Sequence, residues 1–282
     1  MKVLVTGATG FIGHHVVHAL IERGHMITAV ARNANRAKGF AWPESVRFIA
    51  CDVHQPRLDV STTLGAADAV MHLAWPGLPN YNSLYHFEET LFADYRFLKA
   101  LVSAGYKHVL VTGTCFEYGM QNGQLDELVQ TKPSNPYGLA KDTLRKFLES
   151  LRTDSPFTLQ WARLFYVCGR GQNPGSLLVQ LERALEQGDA EFPMSGGEQL
   201  RDYMPVQRVA SDLARLIEHP ECDGIVNICS GKPISVRRMV EEFIKARGQD
   251  IRLKVGHYPY PKHEPHAFWG ARTRWKELQT SE

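Results

Sequence analysis

The sequence predicts an α/β fold: a doubly wound parallel sheet with helices on both faces, followed by a smaller mixed α/β region. Three observations carry that expectation. Through the first two-thirds of the chain, short runs rich in Val, Leu and Ile alternate with helical patterns, as in a parallel sheet buried on both faces. A glycine-rich turn, Gly7-x-x-Gly10-x-x-Gly13, separates the first such run from the first helical pattern. After about residue 168 glycine and proline become more frequent, in "GRGQNPGS", "FPMSGGEQLRDY" and "CSGKPIS".

The predicted strands are 2–6, 26–31, 46–50, 69–73, 108–112 and 158–164, each a short apolar run. Helices are predicted between them at 12–23, 85–104 and 136–152, and beyond residue 168 at 177–187 and 236–247. No low-complexity linker or internal repeat divides the chain. Residues 1–167 and 168–282 are therefore expected to form one unit with a cleft between them, later segments crossing back to the sheet.

A chain of 282 residues is long enough for a wide α/β domain with or without a smaller partner. Apolar residues make up 44% and charged residues 22%, ordinary values for a globular protein. The net charge is +2 and the basic residues are scattered, which argues against a nucleic-acid or membrane surface. No apolar run approaches the roughly 18 residues of a membrane span. The N-terminus has no basic region or small-residue cleavage site, and its apolar start reads as the first strand. Cys51, Cys115, Cys168, Cys222 and Cys229 form no C-x-x-C pair and no metal-ligand spacing. Reduced thiols in a cytoplasmic protein fit that pattern.

In the glycine turn, Gly7 permits the tight bend, Gly10 lets a pyrophosphate approach the backbone, and Gly13 allows close helix–strand packing. The spacing differs from G-x-G-x-x-G, and an unliganded strand-turn-helix is the plain alternative. At the end of the second strand, "MITAVARNANR" offers Arg32 and Arg36 and no acid. Arginines there would pair with the 2′-phosphate of NADP(H), whereas NAD(H) sites usually carry an acid. Two solvated surface arginines are the alternative.

In "NPYGLAK", Tyr137 and Lys141 stand four apart at a helix start, on one face. A neighbouring ammonium favours the phenolate and is expected to lower the tyrosine pKa, suiting Tyr137 to proton transfer at a carbinol oxygen. The preceding strand ends "HVLVTGTCFEYG", offering the Thr112 and Thr114 hydroxyls to a reacting oxygen or to turn capping.

The segments "TGATGFIG", "MHLAW", "LVTGTCFEYG", "NPYGLAK", "RLFYVCGRGQ", "LRDYMPVQRVA" and "VNICSGKPISV" together resemble the extended short-chain dehydrogenase/reductase family over roughly residues 1–250. The resemblance implies a Rossmann domain and a smaller nucleotide-sugar-binding region. It assigns the catalytic hydroxyl to Thr114, the acid/base to Tyr137, and the hold on nicotinamide ribose to Lys141. Thr9, Phe11 and Ile12 would join the glycines at the phosphates, Asp52 and Val53 would meet adenine, and Leu73 and Ala74 would line the cofactor. Phe165 would lie beside nicotinamide, Arg201 would grip the diphosphate of the sugar nucleotide, and Phe192 would pack on its base. Plain core aromatics are the alternative for Phe165 and Phe192. Cys115, Phe116 and Tyr166 would face the sugar.

Departures from the family pattern narrow the chemistry. The Asp-Glu pair of the 4,6-dehydratases is replaced by Cys115 and Phe116, and Phe116 and Gly171 occupy the cysteine and histidine positions of the 3,5-epimerase/reductases. The family's usual Asn is Tyr166. Reduction of the C4 ketone of an NDP-4-keto-6-deoxyhexose, with NADP(H) preferred to NAD(H), is the expected activity. A 4-epimerase using NAD and a catalytically silent nucleotide-binding scaffold are the alternatives. Helices 85–104 and 136–152 carry apolar residues on more than one face, and a homodimer is expected through them, as in the family. The tail from His257 fits the family poorly. His263 and His266 read there as surface or substrate-rim residues, and no metal is expected.

Overall fold

Along β1 (Lys2–Thr6), Val3 and Val5 join one apolar cluster and Leu4 joins another, so the strand is covered on both faces. The computed structural model describes residues 1–260 and 264–275; His263 lies outside them. After β1 come α1 (Gly13–Glu22), β2 (Met26–Ala31), α2 (Ala34–Lys38), β3 (Arg47–Ala50), α3 (Val60–Leu64) and β4 (Ala69–His72). A π-helical turn (His86–Thr90) leads into α4 (Leu91–Ser103) and β5 (His108–Thr114). A 3-10 turn (Cys115–Tyr118), β6 (Gly123–Leu125), α5 (Pro136–Asp154) and β7 (Thr158–Leu164) follow. The later elements begin with β8 (Tyr166–Cys168), α6 (Leu177–Gln187), β9 (Glu191–Pro193), β10 (Leu200–Arg201) and β11 (Tyr203–Pro205). They continue through α7 (Val206–Leu216), β12 (Gly224–Ile228), β13 (Ile234–Ser235), α8 (Val236–Ala246), β14 (Arg252–Lys254) and β15 (Phe268–Gly270).

Seven parallel strands form the central sheet in the order β12-β7-β5-β4-β1-β2-β3. The period-two alternation of β1 recurs across it. Met71, Leu110 and Ala162 face α1 and α7, while Val70, Val109, Val111 and Trp161 face α4 and α5. Strand order reverses at β1, which opens a crevice above the carboxyl ends of β1 and β4 where α/β sheets bind ligands. A second, smaller apolar core joins α6 and α8 through Leu181, Leu185, Met194 and Val240.

Six strands were expected in the sheet and seven are present. The seventh, β12, comes from the late chain and pairs with β7 in parallel. The 85–104 helix divides into the π-helical turn and α4. Helices α2, α3 and α7 are additional to those expected. Among the described residues no helix is long and apolar enough to cross a membrane.

Local chemistry sets the start of α5, the element that carries Tyr137 and Lys141. Asn135 is its N-cap, accepting from the Gly138 amide at 2.8 Å, and Pro136 fills the first helical position without wasting a donor. Gly138 lets this turn press on the 3-10 turn that follows β5: a Cβ there would lie 2.6 Å from the Phe116 carbonyl oxygen.

Candidate active site

The glycine turn packs as its spacing requires. Gly7 has φ +67°, and a Cβ on it would lie 2.7 Å from the Ala74 nitrogen. A Cβ on Gly13 would lie 2.1 Å from the Gly7 oxygen, so only glycine lets α1 start this close to β1. Gly10 closes the turn by donating to the Gly7 carbonyl at 2.8 Å. The N-cap of α1, Ile12, makes no side-chain hydrogen bond, and the first helical turn holds no acid. Those features leave the helix start suited to an anion, so the residues present fit the pyrophosphate of a dinucleotide.

The other residues expected at the cofactor follow the carboxyl ends of the neighbouring strands. Arg32 and Arg36 follow β2 and are exposed, and Asn33 between them caps α2 by accepting from the Arg36 amide at 3.0 Å. Asp52 is exposed and Val53 buried after β3, while Leu73 and Ala74 extend β4. Thr9 is buried and Phe11 half-buried, its ring edge-on to His15.

Beneath these loops lies a buried network that sequence reasoning missed. The Asp94 carboxylate on α4 is fully buried and pairs with His72 Nε2 at 3.2 Å and with His54 Nε2. His72 Nδ1 lies 2.8 Å from Thr6 Oγ1. One carboxylate thus ties α4 to the ends of β1 and β4 and to the loop after β3. Burial alone would push Asp94 up, but the two histidines and Lys141 outweigh it and hold the carboxyl at about 2.

At the head of β5 and α5 the structure brings Thr114, Tyr137 and Lys141 together. Thr112 donates its hydroxyl to the His72 carbonyl, which leaves Thr114 as the available hydroxyl. Thr114 Oγ1 accepts from the Phe116 amide at 3.3 Å. The Tyr137 ring packs against His86, Tyr81 and Trp75, with centroids 5.3, 5.6 and 5.9 Å away. Trp75 donates to His86 Nδ1 at 3.1 Å, so His86 carries its proton on Nε2, 2.8 Å from the Asn80 oxygen. The π-helical turn sets His86 in this position.

The net shift of the Tyr137 pKa is upward, not downward as the spacing from Lys141 predicts. Burial dominates and pushes the phenol up, reinforced by Tyr81, Glu117 and Cys115, while the nearby Thr114 hydroxyl pulls the other way. Lys141 instead donates to the Thr112 carbonyl at 2.9 Å and lies over the Trp75 ring. Its own pKa is brought down to about 8 by burial, against the opposing pull of Asp94 and Glu117.

An aromatic wall borders the Tyr137 cluster, where the sugar-facing residues were expected. Phe116 lies 4.9 Å from Tyr81 and 6.5 Å from Tyr166, ring to ring, and Tyr166 packs on Tyr203 and Phe268. Cys115 is buried beside them, its thiol pushed up by burial. Arg201 is 2% exposed and donates to the Glu264 carboxylate at 2.8 Å and to the Leu200 and His266 carbonyls. Phe165 packs in a core with Cys115, Tyr118 and Phe268, and Phe192 lies in the core of the smaller region. Phe192 is set apart from the Tyr137 cluster. His266 is exposed. The signals for Trp75 and Glu117 were present in "MHLAW" and "TCFEYG"; those for His86, Glu264 and Asp94 were not.

Residues 3–229 match the NAD dependent epimerase/dehydratase family. The dTDP-6-deoxy-L-talose 4-dehydrogenase (NAD(+)) of Aggregatibacter actinomycetemcomitans is 30% identical over 275 residues, covering 96% of this chain and 100% of the relative. The UDP-glucose 4-epimerase of Halalkalibacterium halodurans is 26% identical over 283 residues, covering 90% of this chain and 83% of that relative. Among solved structures, MoeE5 in complex with UDP-glucuronic acid and NAD matches with a TM-score of 0.80 and 28% identity, covering 99% of this chain and 92% of that one.

Proposed function

The chain belongs to the NAD dependent epimerase/dehydratase family, and from that premise we propose that it reduces the C4 ketone of an NDP-4-keto-6-deoxyhexose. The observation that carries this reading is the composition of the strand end. Thr114 and Tyr137 stand together there, and Cys115 and Phe116 occupy the positions where an acid pair for water elimination would stand.

Reduction of a ketone to a secondary alcohol adds a hydride to carbon and a proton to oxygen. A bound nicotinamide dinucleotide supplies the hydride. Thr114 donates a hydrogen bond to the ketone oxygen and Tyr137 gives it the proton. Burial keeps Tyr137 protonated before turnover, and Lys141 on the same helix favours the phenolate left behind. The name of the 30% identical relative, a 4-dehydrogenase of a 6-deoxyhexose, supports the same bond-making in either direction.

NADP(H) is the cofactor we favour. Arg32 and Arg36 are exposed, and no acid occurs between residues 26 and 43 to repel a 2′-phosphate. NAD, printed with the relative and with MoeE5, is the competing choice. A homodimer through α4 and α5 is supported by exposed Phe92 and Leu139, and a reducing compartment by five free cysteines.

A 4-epimerase would use the same Thr114, Tyr137 and Lys141, and the 26% identical relative bears that name. Mixing the protein with NADPH or NADH and a panel of NDP-4-keto-6-deoxyhexoses, and following absorbance, tests the proposal. Cofactor oxidation that Tyr137→Phe abolishes is expected. No oxidation with any of them, together with turnover of UDP-hexoses, selects the epimerase.

A further inference from the structure

Glu117 is a buried carboxylate three residues after Thr114 that proton transfer by Tyr137 does not use. Its side chain is wholly inaccessible. Glu117 accepts from the Thr114 amide at 2.8 Å, from Trp161 Nε1 at 2.9 and 3.1 Å, and from Arg163 Nε at 2.7 Å. Arg163 is 1% exposed and lies over the Tyr118 ring. The chain makes room for this pair at Gly113, where a Cβ would lie 2.4 Å from the Glu117 carboxylate and 2.2 Å from Trp161 Nε1. Burying a carboxylate is costly unless every lone pair finds a donor, and here four donor contacts converge on it.

The contacts form a reciprocal capping box around the 3-10 turn. Glu117 holds the Thr114 amide while Thr114 Oγ1 accepts from the Phe116 amide. With that lone pair taken from inside the turn, the Thr114 hydroxyl proton is left to point outward, toward Tyr137. We propose that Glu117 is a positioning residue that fixes Thr114 as a hydrogen-bond donor to the reacting oxygen, with its charge balanced by Arg163. The inference rests on the assignment of Thr114 and Tyr137 under the proposed function. Its second consequence is electrostatic. Tyr137 is surrounded by Tyr81, His86, Thr114, Cys115 and Glu117, with Lys141 on the Trp75 ring that packs against it, and Glu117 is the carboxylate among them.

A purely architectural ion pair would change stability and nothing else, so the test reads kinetics. Glu117→Gln is expected to lower kcat roughly 10- to 100-fold while leaving KM for both substrates within about twofold. Arg163 is then uncompensated and favours the Tyr137 phenolate, so the high-pH limb of the kcat profile moves to lower pH. Adding Arg163→Met removes that charge and returns the limb toward its wild-type position. If Glu117→Gln fails to fold, Glu117→Asp keeps the charge but draws the carboxylate back, and is expected to lower kcat with the limb in place.

Wild-type kcat and pH profile in either folded variant, with only a lower Tm, overturns the inference. Tyr137→Phe serves as the control. If it is inactive while the Glu117 variants match wild type, only this inference fails. If Tyr137→Phe is fully active, the underlying assignment fails instead.

Discussion

Lys141 Nζ sits 3.8 Å from the centre of the Trp75 indole ring. Lysine needs its charge to stabilise a phenolate, yet burial has brought its pKa to about 8. The indole face and the Thr112 carbonyl offset part of that burial without supplying a counter-anion that would quench the site. Trp75 also donates to His86, so one side chain orients both the lysine and the histidine that packs on Tyr137.

Trp75→Ala should therefore lose more than packing. We expect a loss of about 2 kcal/mol in stability, less than the about 3–5 kcal/mol for a fully buried Trp because Trp75 is only half-buried. The high-pH limb of activity should also move to lower pH as Lys141 loses its charge more easily. Trp75→Phe keeps a ring face but no donor, and should retain the limb. Urea denaturation and pH–rate profiles measure the two effects separately.

The lysine itself opposes folding. Its folded pKa of about 8 lies below the ordinary 10.5. Below about pH 8 it is charged in both states, and the folded state bears the cost of burying it. Between about 8 and 10.5 the unfolded chain holds the proton that the folded protein has released. The contribution of this group to stability therefore rises with pH across that window. Lys141→Met, similar in shape and uncharged, should be inactive and roughly 1 kcal/mol or more stabler than wild type at pH 7. Equal or lower stability in urea at pH 7 contradicts this.

Asp94 works in the opposite direction. Its carboxyl lies at about 2 in the folded protein against an ordinary 3.8. The stabilisation is complete above the unfolded value and is lost as pH falls toward 2, and is worth about 2 kcal/mol. Asp94→Asn should remove the difference and flatten the dependence of urea midpoint on pH between 2 and 4. Because Asp94 ties the ends of β1 and β4 and the loop after β3 together around the proposed cofactor crevice, the same variant should weaken dinucleotide binding several-fold, as measured by calorimetry.

Gly13→Ala tests the cradle. With a methyl forced to 2.1 Å from the Gly7 oxygen, α1 must move off β1. We expect dinucleotide affinity to fall about tenfold or more, since the helix start and the turn cannot both keep their places. Sugar-nucleotide affinity, measured in the same titration, should change much less.

The strands that were legible in the sequence were those whose apolar run is itself the signal. Lys2–Thr6, Met26–Ala31 and Thr158–Leu164 coincide with their expected bounds because each is a short, mostly buried run of β-forming residues. Helix α7 carries an equally clear pattern in Val206, Val209, Ala210, Leu213 and Ala214, but follows a loop-rich stretch that masked it. The pairing of β12 with β7 joins residues some sixty positions apart, which no local pattern specifies. The active site divides in the same way. Tyr137 and Lys141 share one helix face, so their spacing exposes them. Asp94 meets His54 across 40 residues, and Glu117 meets Arg163 across 46, so only the folded sheet brings them together.

Net hydride transfer to C4 leaves a cofactor-derived hydrogen on that carbon, which isotopic labelling detects. The protein is incubated with NADPH, or NADH, deuterated at the transferring position and an NDP-4-keto-6-deoxyhexose, and the product is read by NMR and mass spectrometry. Deuterium at C4 of the product, in proportion to cofactor oxidised and absent with Tyr137→Phe, is the expected result. Inversion at C4 of a nucleotide sugar with no net cofactor oxidation, and no label from the added cofactor, would contradict it.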